Sequence, residues 1–214
     1  MTTAALVACG NPTAPQFGAA SYRIEGLTTP RGGGEATHTI IYRANSNMRV
    51  EATLPAIGSA TVVFDEATGG AYALNPGTTP RDVGTDGEIL SPAGIAVRIE
   101  DAQAPQPLET PWAALGAENA RAGGRCTVAG ERGREWRPRE QVEGAERHAC
   151  ITEDGIVLMV TENGVRLWEA TSLQRGPQDA ALFGVPAGYR MIDPQAIASS
   201  TEQTPLTPPA PPPG

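Results

Sequence analysis

Apolar and polar residues alternate along several short stretches of the chain, and this pattern predicts a mainly β protein. From position 48 to position 54 every second residue is apolar, and Arg49, Glu51 and Thr53 lie between them. Since successive side chains of a strand point to opposite faces, the pattern is typical of a strand with one buried face. Further strands are predicted over 21–27, 36–44, 59–66, 71–75, 95–99, 125–131, 134–138, 147–152, 156–162, 165–173 and 189–192.

Turns that contain glycine separate the last of these strands. Asp154-Gly155 and Asn163-Gly164 are strong hairpin signals, because tight hairpin turns need residues that accept a left-handed backbone. They predict that 147–152, 156–162 and 165–173 form a three-stranded meander. Gly133 is predicted to be the turn of a further hairpin.

The stretch 156–160 is apolar at every position. Such a strand would be prone to aggregation at a solvated sheet edge, so it is predicted to lie centrally with both faces covered. Trp168 and Phe183 are the predicted cover. If one face of the strand borders an acyl-binding cavity, then either Val157 or Leu158 should contribute little to stability.

Two short helical segments are predicted. The stretch 109–119 has acidic residues near its start, Pro111 in its first turn, and Trp112 and Leu115 one turn apart. The stretch 178–183 is long enough for one turn.

The chain is predicted to hold one folded domain, 21–193. The segment 194–214 contains 7 of the 20 prolines and few apolar residues. It cannot offset the entropy of ordering by burial, so it is expected to be a disordered tail.

Residues 6–9, Leu-Val-Ala-Cys, resemble the lipobox of bacterial lipoproteins, in which a diacylglycerol is linked to the cysteine. The resemblance implies that Cys9 is lipidated and that 9–20 tethers the domain to a membrane. Residues 1–8 are uncharged and too short to hold both the charged and the apolar region of a signal peptide, so they are expected to be a remnant of one. Gly10, in place of Asp, implies the periplasmic side of the outer membrane. The alternative is a frayed cytoplasmic N-terminus with a stray cysteine.

The remaining cysteines, Cys126 and Cys150, form an even pair 24 positions apart. In an oxidising compartment such a pair favours a disulfide bond. Two buried free thiols in a cytosolic protein are one alternative. A metal site is another, although His148 and His38 are the only histidines of the chain, which makes a thin set of ligands. No metal or other cofactor is expected.

Charge changes the picture in one region. The chain has 24 acidic residues against 16 basic residues, and every basic residue is an arginine; this acidic balance argues against nucleic acid as a partner. Positions 121–147, however, hold seven arginines and five glutamates. This hairpin has two interpretations: a surface that faces anionic lipid headgroups, or a solvated strand face with cross-strand Arg–Glu pairs.

Catalytic motifs are absent from the sequence. It contains no Gly-x-Ser-x-Gly, no Ser-x-x-Lys, no phosphate-binding loop and no His-Glu-x-x-His. Adjacent acids occur at predicted strand ends and turns, where acids are commonly solvated. A non-enzymatic function is therefore expected.

Four segments near the C-terminus resemble a family of bacterial envelope proteins. They are 150–156 (CITEDGI), 168–171 (WEAT), 176–179 (GPQD) and 182–189 (LFGVPAGY). They are similar to lipoprotein carriers of the LolA and LppX type. The resemblance implies a half-open antiparallel β-barrel, that is, a curved sheet, with helices across a concave side that holds acyl chains. Ligand contacts in that family do not form a local motif, so no ligand-binding residue can be assigned.

These observations predict a non-enzymatic cell-envelope lipoprotein that binds an acyl chain or another apolar ligand on the concave face of the sheet. Its partners would be the membrane, through the anchor, and a lipid or lipoprotein ligand. The alternative is a structural or interaction module of an envelope assembly, with a filled core and no ligand. The sequence indicates no oligomeric state.

Overall fold

Twelve strands form one open, curved sheet in the computed structural model, which describes residues 14–18, 20–54, 58–65, 70–76, 93–99, 106–141 and 144–194. The strands are β1 (Tyr22–Thr28), β2 (Thr37–Ala44), β3 (Asn47–Leu54), β4 (Gly58–Asp65), β5 (Gly70–Pro76), β6 (Gly94–Ile99), β7 (Ala120–Val128), β8 (Glu131–Pro138), β9 (Arg147–Ile151), β10 (Val157–Glu162), β11 (Val165–Arg175) and β12 (Tyr189–Ile192).

The sheet order is β12-β6-β5-β4-β3-β2-β1-β11-β10-β9-β8-β7. Neighbouring strands are antiparallel except β12 and β6, which are parallel. The sheet does not close into a barrel, and the predicted mainly β, half-open architecture is confirmed. One α-helix, α1 (Thr110–Asn119), and one 3-10 turn (Ala180–Leu182) accompany it in the described part of the chain. They fall within the two predicted helical segments.

The two hairpin turns predicted from Asp154-Gly155 and Asn163-Gly164 contain residues with left-handed backbone angles, as expected. Asn163 and Gly164 have φ values of 52° and 77°, as a tight hairpin turn requires. The prediction for Gly133 is wrong, because the turn between β7 and β8 lies at Ala129 and Gly130, where φ is 52° and 78°. Gly133 lies inside β8 instead.

The larger of two core clusters, the main core, lies on both faces of β9 and β10. Ile156, Val157 and Leu158 are each 2% exposed or less, and β10 is flanked by β9 and β11. The prediction of a central strand covered on both faces is therefore confirmed for 156–158, whereas Met159 and Val160, which it also included, are only partly buried. Trp168 belongs to its cover, and its indole Nε1 donates to the carbonyl oxygen of Val157 at 3.1 Å.

The other predicted cover, Phe183, is buried elsewhere. The carbonyl oxygen of its neighbour Leu182 accepts a hydrogen bond from Arg49 of β3 at 3.2 Å. Since β3 lies four strands from β10 in the sheet, Phe183 is not part of the cluster around β10, and that prediction is wrong.

The indole ring of Trp168 approaches β1 so closely that a glycine is needed where the two meet, at Gly26. A Cβ atom on Gly26 would lie 2.5 Å from the ring carbon Cη2 of Trp168 and 2.5 Å from the carbonyl oxygen of Glu169. The register of β1 against β11 shifts at this point, between Glu25 and Gly26. The shift and the glycine together seat the indole in the core.

No helix among the residues described here is long and apolar enough to cross a membrane. The predicted lipidation site Cys9, the first part of the tether and residues 195–214 lie outside the described residues.

Candidate binding site beneath helix α1

A buried ion pair attaches α1 to the sheet. Glu109 precedes the helix, and its Oε1 lies 2.8 Å from Nη2 of Arg43 on β2. Both side chains are about nine-tenths buried, with exposed fractions of 8% for Arg43 and 10% for Glu109. The guanidinium also donates through Nη1 to the carbonyl oxygens of Ser46 and Asn47, so its burial is compensated. Burial raises the pKa of the neighbouring Tyr22, and the negative charge of Glu109 raises it further.

Helix α1 is interrupted at one residue. Gly116 has φ 66° and ψ 170°, which lie outside the helical region, in a conformation that favours glycine. Before this break, Trp112 is buried in the main core. The helix is therefore fixed at its start by Arg43 and Trp112 and bends near its end.

An apolar cavity of about 210 Å³ lies beneath the helix. Its walls come from three places: α1, the sheet and the segment that precedes β1. The lining residues are Ala14, Pro15, Phe17, Trp112, Ala113, Gly116, Ala117, Ala120, Trp136 and Ile151. Neither Val157 nor Leu158 is among them, so the strand expected to face a ligand does not border this cavity.

The segment before β1 forms a wall of the cavity because it is held against the turn between β9 and β10. The backbone N–H of Gln16 donates to the carbonyl oxygen of Glu153 at 3.0 Å. Gly155, with φ 82°, lets the chain pass, since a Cβ atom there would lie 2.5 Å from the carbonyl oxygen of Gln16. Phe17 packs against the main core. This part of the predicted tether is thus attached to the domain.

A wider, polar groove of about 950 Å³ adjoins the apolar cavity. The two share four lining residues: Ala14, Pro15, Trp136 and Ile151. The groove is lined by four arginines and three acids, namely Arg125, Arg132, Arg134, Arg175, Glu131, Glu153 and Asp154. An apolar recess therefore opens beside a charged surface.

Among the described residues, some arginines of the groove form ion pairs with acids, and others do not. Arg175 lies 2.8 Å from carboxylate oxygens of both Asp154 and Glu131. Burial raises the pKa of Asp154, but hydrogen bonds from Arg175 and Thr152 outweigh that effect, and the pKa is lower than usual. Within the described ranges, Arg125 and Arg132 have no carboxylate oxygen within 4.0 Å. The groove thus keeps an excess of positive charge.

The disulfide bond between Cys126 and Cys150 is present, next in sequence to the groove-lining residues Arg125 and Ile151. It joins β7 to β9 across β8, and the two Cα atoms are 6.1 Å apart. Strands separated by one neighbour in a flat sheet would be about 9–10 Å apart, so the sheet bends sharply here. Gly133 makes the bend possible, because a Cβ atom would lie 3.0 Å from Sγ of Cys150 and 2.8 Å from the carbonyl oxygen of Ile151.

The histidines and acids do not form a metal centre in the described part of the molecule. Nε2 of His38 lies 3.3 Å from Glu25, and Nε2 of His148 lies 3.0 Å from Glu146. No group of three or more His, Cys, Asp or Glu residues in the described ranges is placed to hold a metal ion. Cys150 is in the disulfide, so it is not available as a thiolate ligand with His148.

One pattern in the sequence points to this site. On β8, Arg132, Arg134 and Trp136 alternate with Gly133 and Glu135, so three long side chains share one face of the strand. That face lines both the cavity and the groove. The contribution of Ala14, Pro15 and Phe17 had no such signal, because a short polar segment resembles a linker.

Comparisons with known proteins concern the fold. No family model and no curated protein matches the chain. Its structure is similar to one in the Pseudomonas aeruginosa MucA/MucB complex, with a TM-score of 0.50, 17% identity, and coverage of 82% of this chain and 59% of the matched chain. An uncharacterized conserved protein from Thermus thermophilus matches with a TM-score of 0.49 and 12% identity, over 82% of this chain and 91% of that one. At these identities the chain shares a fold with MucB, and membership of a lipoprotein-carrier family remains a prediction.

Proposed function

We propose that the protein is a non-enzymatic binding module of the bacterial cell envelope, on the periplasmic side of the outer membrane. Its ligand is an amphipathic anion, such as a fatty acid or an acylated lipid. The apolar end of the ligand enters the cavity beneath α1, and the anionic end lies in the arginine-lined groove.

One observation carries this proposal: the apolar cavity and the charged groove share walls. Trp136 and Ile151 line both, so a single ligand can contact the two at once. Arg125 and Arg132, which have no acidic partner among the described residues, supply positive charge where the anionic end would lie. Guanidinium groups bind carboxylate and phosphate oxygens through paired N–H donors.

The size of the cavity sets the part of the ligand that it can hold. Its 210 Å³ lies below the roughly 300–1,000 Å³ typical of small-molecule sites. The main core around β9 and β10 is filled by side chains. We therefore propose that the cavity takes one end of an acyl chain, and not a whole chain as a carrier would.

The proposed lipid anchor would keep this site close to a membrane. Ala14, which lines both the cavity and the groove, follows Cys9 by five positions. A chain of that length spans at most about 18 Å. Acyl chains attached to Cys9 would thus hold the mouth of the site within about that distance of the lipid surface.

A second candidate function is an interaction module for another protein. Two observations favour it: the filled core, and the similarity to MucB, which has been solved in complex with MucA. In that case the apolar cavity would receive an apolar side chain of the partner.

Mass spectrometry under native conditions, on the full chain purified without detergent, tests the proposal. The wild type should carry a non-covalent adduct with the mass of an acyl lipid, and it should bind a fluorescent fatty acid. Ala117→Phe places a ring at the cavity and should abolish both. Ala114→Phe, on the same helix but outside the cavity lining, is the matched control and should retain both.

Arg132→Gln tests the polar half of the site and should weaken binding of the fluorescent fatty acid. If the wild type carries no adduct and binds no fatty acid, the proposal fails and the interaction module replaces it.

A further inference from the structure

Two arginines lie directly opposite one another at the far end of the β7–β8 hairpin from its turn. The register pairs Arg121 of β7 with Arg137 of β8. Arg139 follows β8, and its backbone N–H donates to the carbonyl oxygen of Asn119 at 2.8 Å. The sequence interpretation of cross-strand Arg–Glu pairs is therefore wrong at this position, because arginine faces arginine.

This arrangement is electrostatically unfavourable as it stands. Like charges directly opposite in neighbouring strands destabilise a sheet. Within the described part of the chain, no carboxylate oxygen lies within 4.0 Å of the guanidinium groups of Arg121, Arg137 or Arg139. Glu146 lines the same pocket as these arginines, and its carboxylate is hydrogen-bonded to Nε2 of His148 at 3.0 Å. Among the described residues the positive charge of the three arginines has no ion-pair partner, and a bound anion would neutralise it.

The three arginines surround a pocket of about 550 Å³, which we call the arginine pocket. Hydrogen bonds within the protein fix its polar rim. Asn163 accepts from the N–H of Glu146 at 2.8 Å and donates to the carbonyl oxygen of Gly144 at 2.6 Å. The pocket is therefore lined by a hydrogen-bonded segment around Asn163 and by three arginine side chains.

We propose that the arginine pocket binds a phosphate group, carried either by a small solute or by a lipid headgroup. Guanidinium groups present N–H donors in a planar fork that matches phosphate oxygens. A bound phosphate between Arg121 and Arg137 converts their repulsion into two attractive contacts. This site lies apart from the cavity beneath α1 and shares no lining residue with it or with its groove.

Inorganic phosphate, compared with chloride at equal ionic strength, tests the site on the full chain. In the wild type, phosphate should raise the melting temperature and shift the backbone amide signals of 119–122 and 136–139. Arg137→Gln removes the opposed charge, so in chloride it should melt at the same temperature as the wild type or higher. The same variant should weaken phosphate binding about tenfold. The matched control is Arg98→Gln, an exposed arginine on β6, which should leave the phosphate effect intact.

Flotation with vesicles of phosphatidylglycerol or phosphatidylcholine identifies the source of the phosphate. Binding of phosphatidylglycerol vesicles that is lost in Arg137→Gln assigns the site to a lipid headgroup. A response to inorganic phosphate without vesicle binding assigns it to a soluble phosphate. The proposal is overturned if Arg137→Gln keeps the wild-type response in both experiments, or if the wild type responds in neither. Arg132→Gln, which tests the groove, should not alter the amide shifts of the arginine pocket, so the two proposals fail separately.

Discussion

The guanidinium of Arg43 and the carboxylate of Glu109 form a buried ion pair, with Nη2 and Oε1 2.8 Å apart, that joins β2 to the start of α1. Glu109 is the N-cap residue of α1, yet its side chain makes no hydrogen bond to the helix backbone. The ion pair engages that carboxylate instead. One contact thus positions the helix that roofs the apolar cavity.

Glu109→Ala should lower the free energy of unfolding by about 3–5 kcal/mol, because it leaves the charge of Arg43 buried without its partner. Urea denaturation followed by circular dichroism measures the change. Glu118→Ala, at an exposed position of the same helix, should change it by less than about 0.5 kcal/mol. Equal effects of the two substitutions would contradict the structural role of the ion pair.

Removal of the disulfide bond should also destabilise the protein. The double variant Cys126→Ala and Cys150→Ala should unfold with about 3 kcal/mol less free energy, since the cross-link no longer restricts the unfolded chain. Reductant should destabilise the wild type in the same denaturation experiment and leave the double variant unchanged. Titration of these two thiols as free groups in unreduced protein would refute the bond.

Substitutions in β10 test whether its two faces are packed against protein side chains or against a ligand. Leu158→Ala should cost about 2–5 kcal/mol, and Val157→Ala about 1.5–3 kcal/mol, because both side chains are buried in the main core. Val165→Ala, at a 43% exposed position, is the control and should have little effect. If either core substitution proves neutral while it weakens fatty-acid binding, that face of β10 contacts ligand after all.

Acid should destabilise the fold in part through Glu162. Hydrogen bonding to Arg147 lowers the pKa of this carboxyl, and Arg31 lowers it further. The unfolded chain therefore binds more protons, so the stabilisation is complete above the ordinary glutamate pKa of about 4.3 and is lost as the pH falls through the lower, folded value.

In Glu162→Gln the unfolding free energy should depend less steeply on pH below about 5 than in the wild type. Denaturation at a series of pH values measures the slope. Glu140→Gln, which removes an exposed acid without an ion pair to any described residue, should keep the wild-type slope. An unchanged slope in Glu162→Gln would show that the contacts with Arg147 and Arg31 add nothing.

Lipidation of Cys9 remains a prediction from the lipobox. In the native host, the wild type should incorporate a palmitate analogue and fractionate with membranes. Cys9→Ser should do neither, because it lacks the thiol that takes the diacylglycerol. Membrane association of Cys9→Ser, together with an unlabelled wild type, would disprove the anchor.

The sequence predicted strands and turns well where a segment's structure depended on a single physical requirement, such as burial or a left-handed backbone angle. The apolar stretch 156–160 was expected to be covered on both faces, which holds for 156–158, and Asn163-Gly164 had to accept left-handed backbone angles. Gly133 was misread because a glycine serves both in turns and where two groups approach closely. Only the tertiary structure shows that Cys150 passes over Gly133.

The register of the arginines could not be read from the sequence. It depends on the irregularity in β7 between Ala122 and Arg125, which changes the partner that each residue faces on β8. The site beneath α1 was hidden for a different reason. Its walls come from three distant parts of the chain, and each part is unremarkable by itself.

The strand order also has a consequence for how the chain can fold. Along most of the sheet, hydrogen-bonded neighbours are consecutive in sequence, first from β1 to β6 and then from β7 to β11. Apart from the longer connection between β5 and β6, these two meanders close short loops, which costs little chain entropy. The antiparallel seam between β1 and β11 instead joins segments that are far apart in the chain. We expect it to form late, since long-range pairing is slow. The Gly26–Trp168 contact lies between these two strands. We therefore expect the indole of Trp168 to become buried late, when β1 and β11 pair.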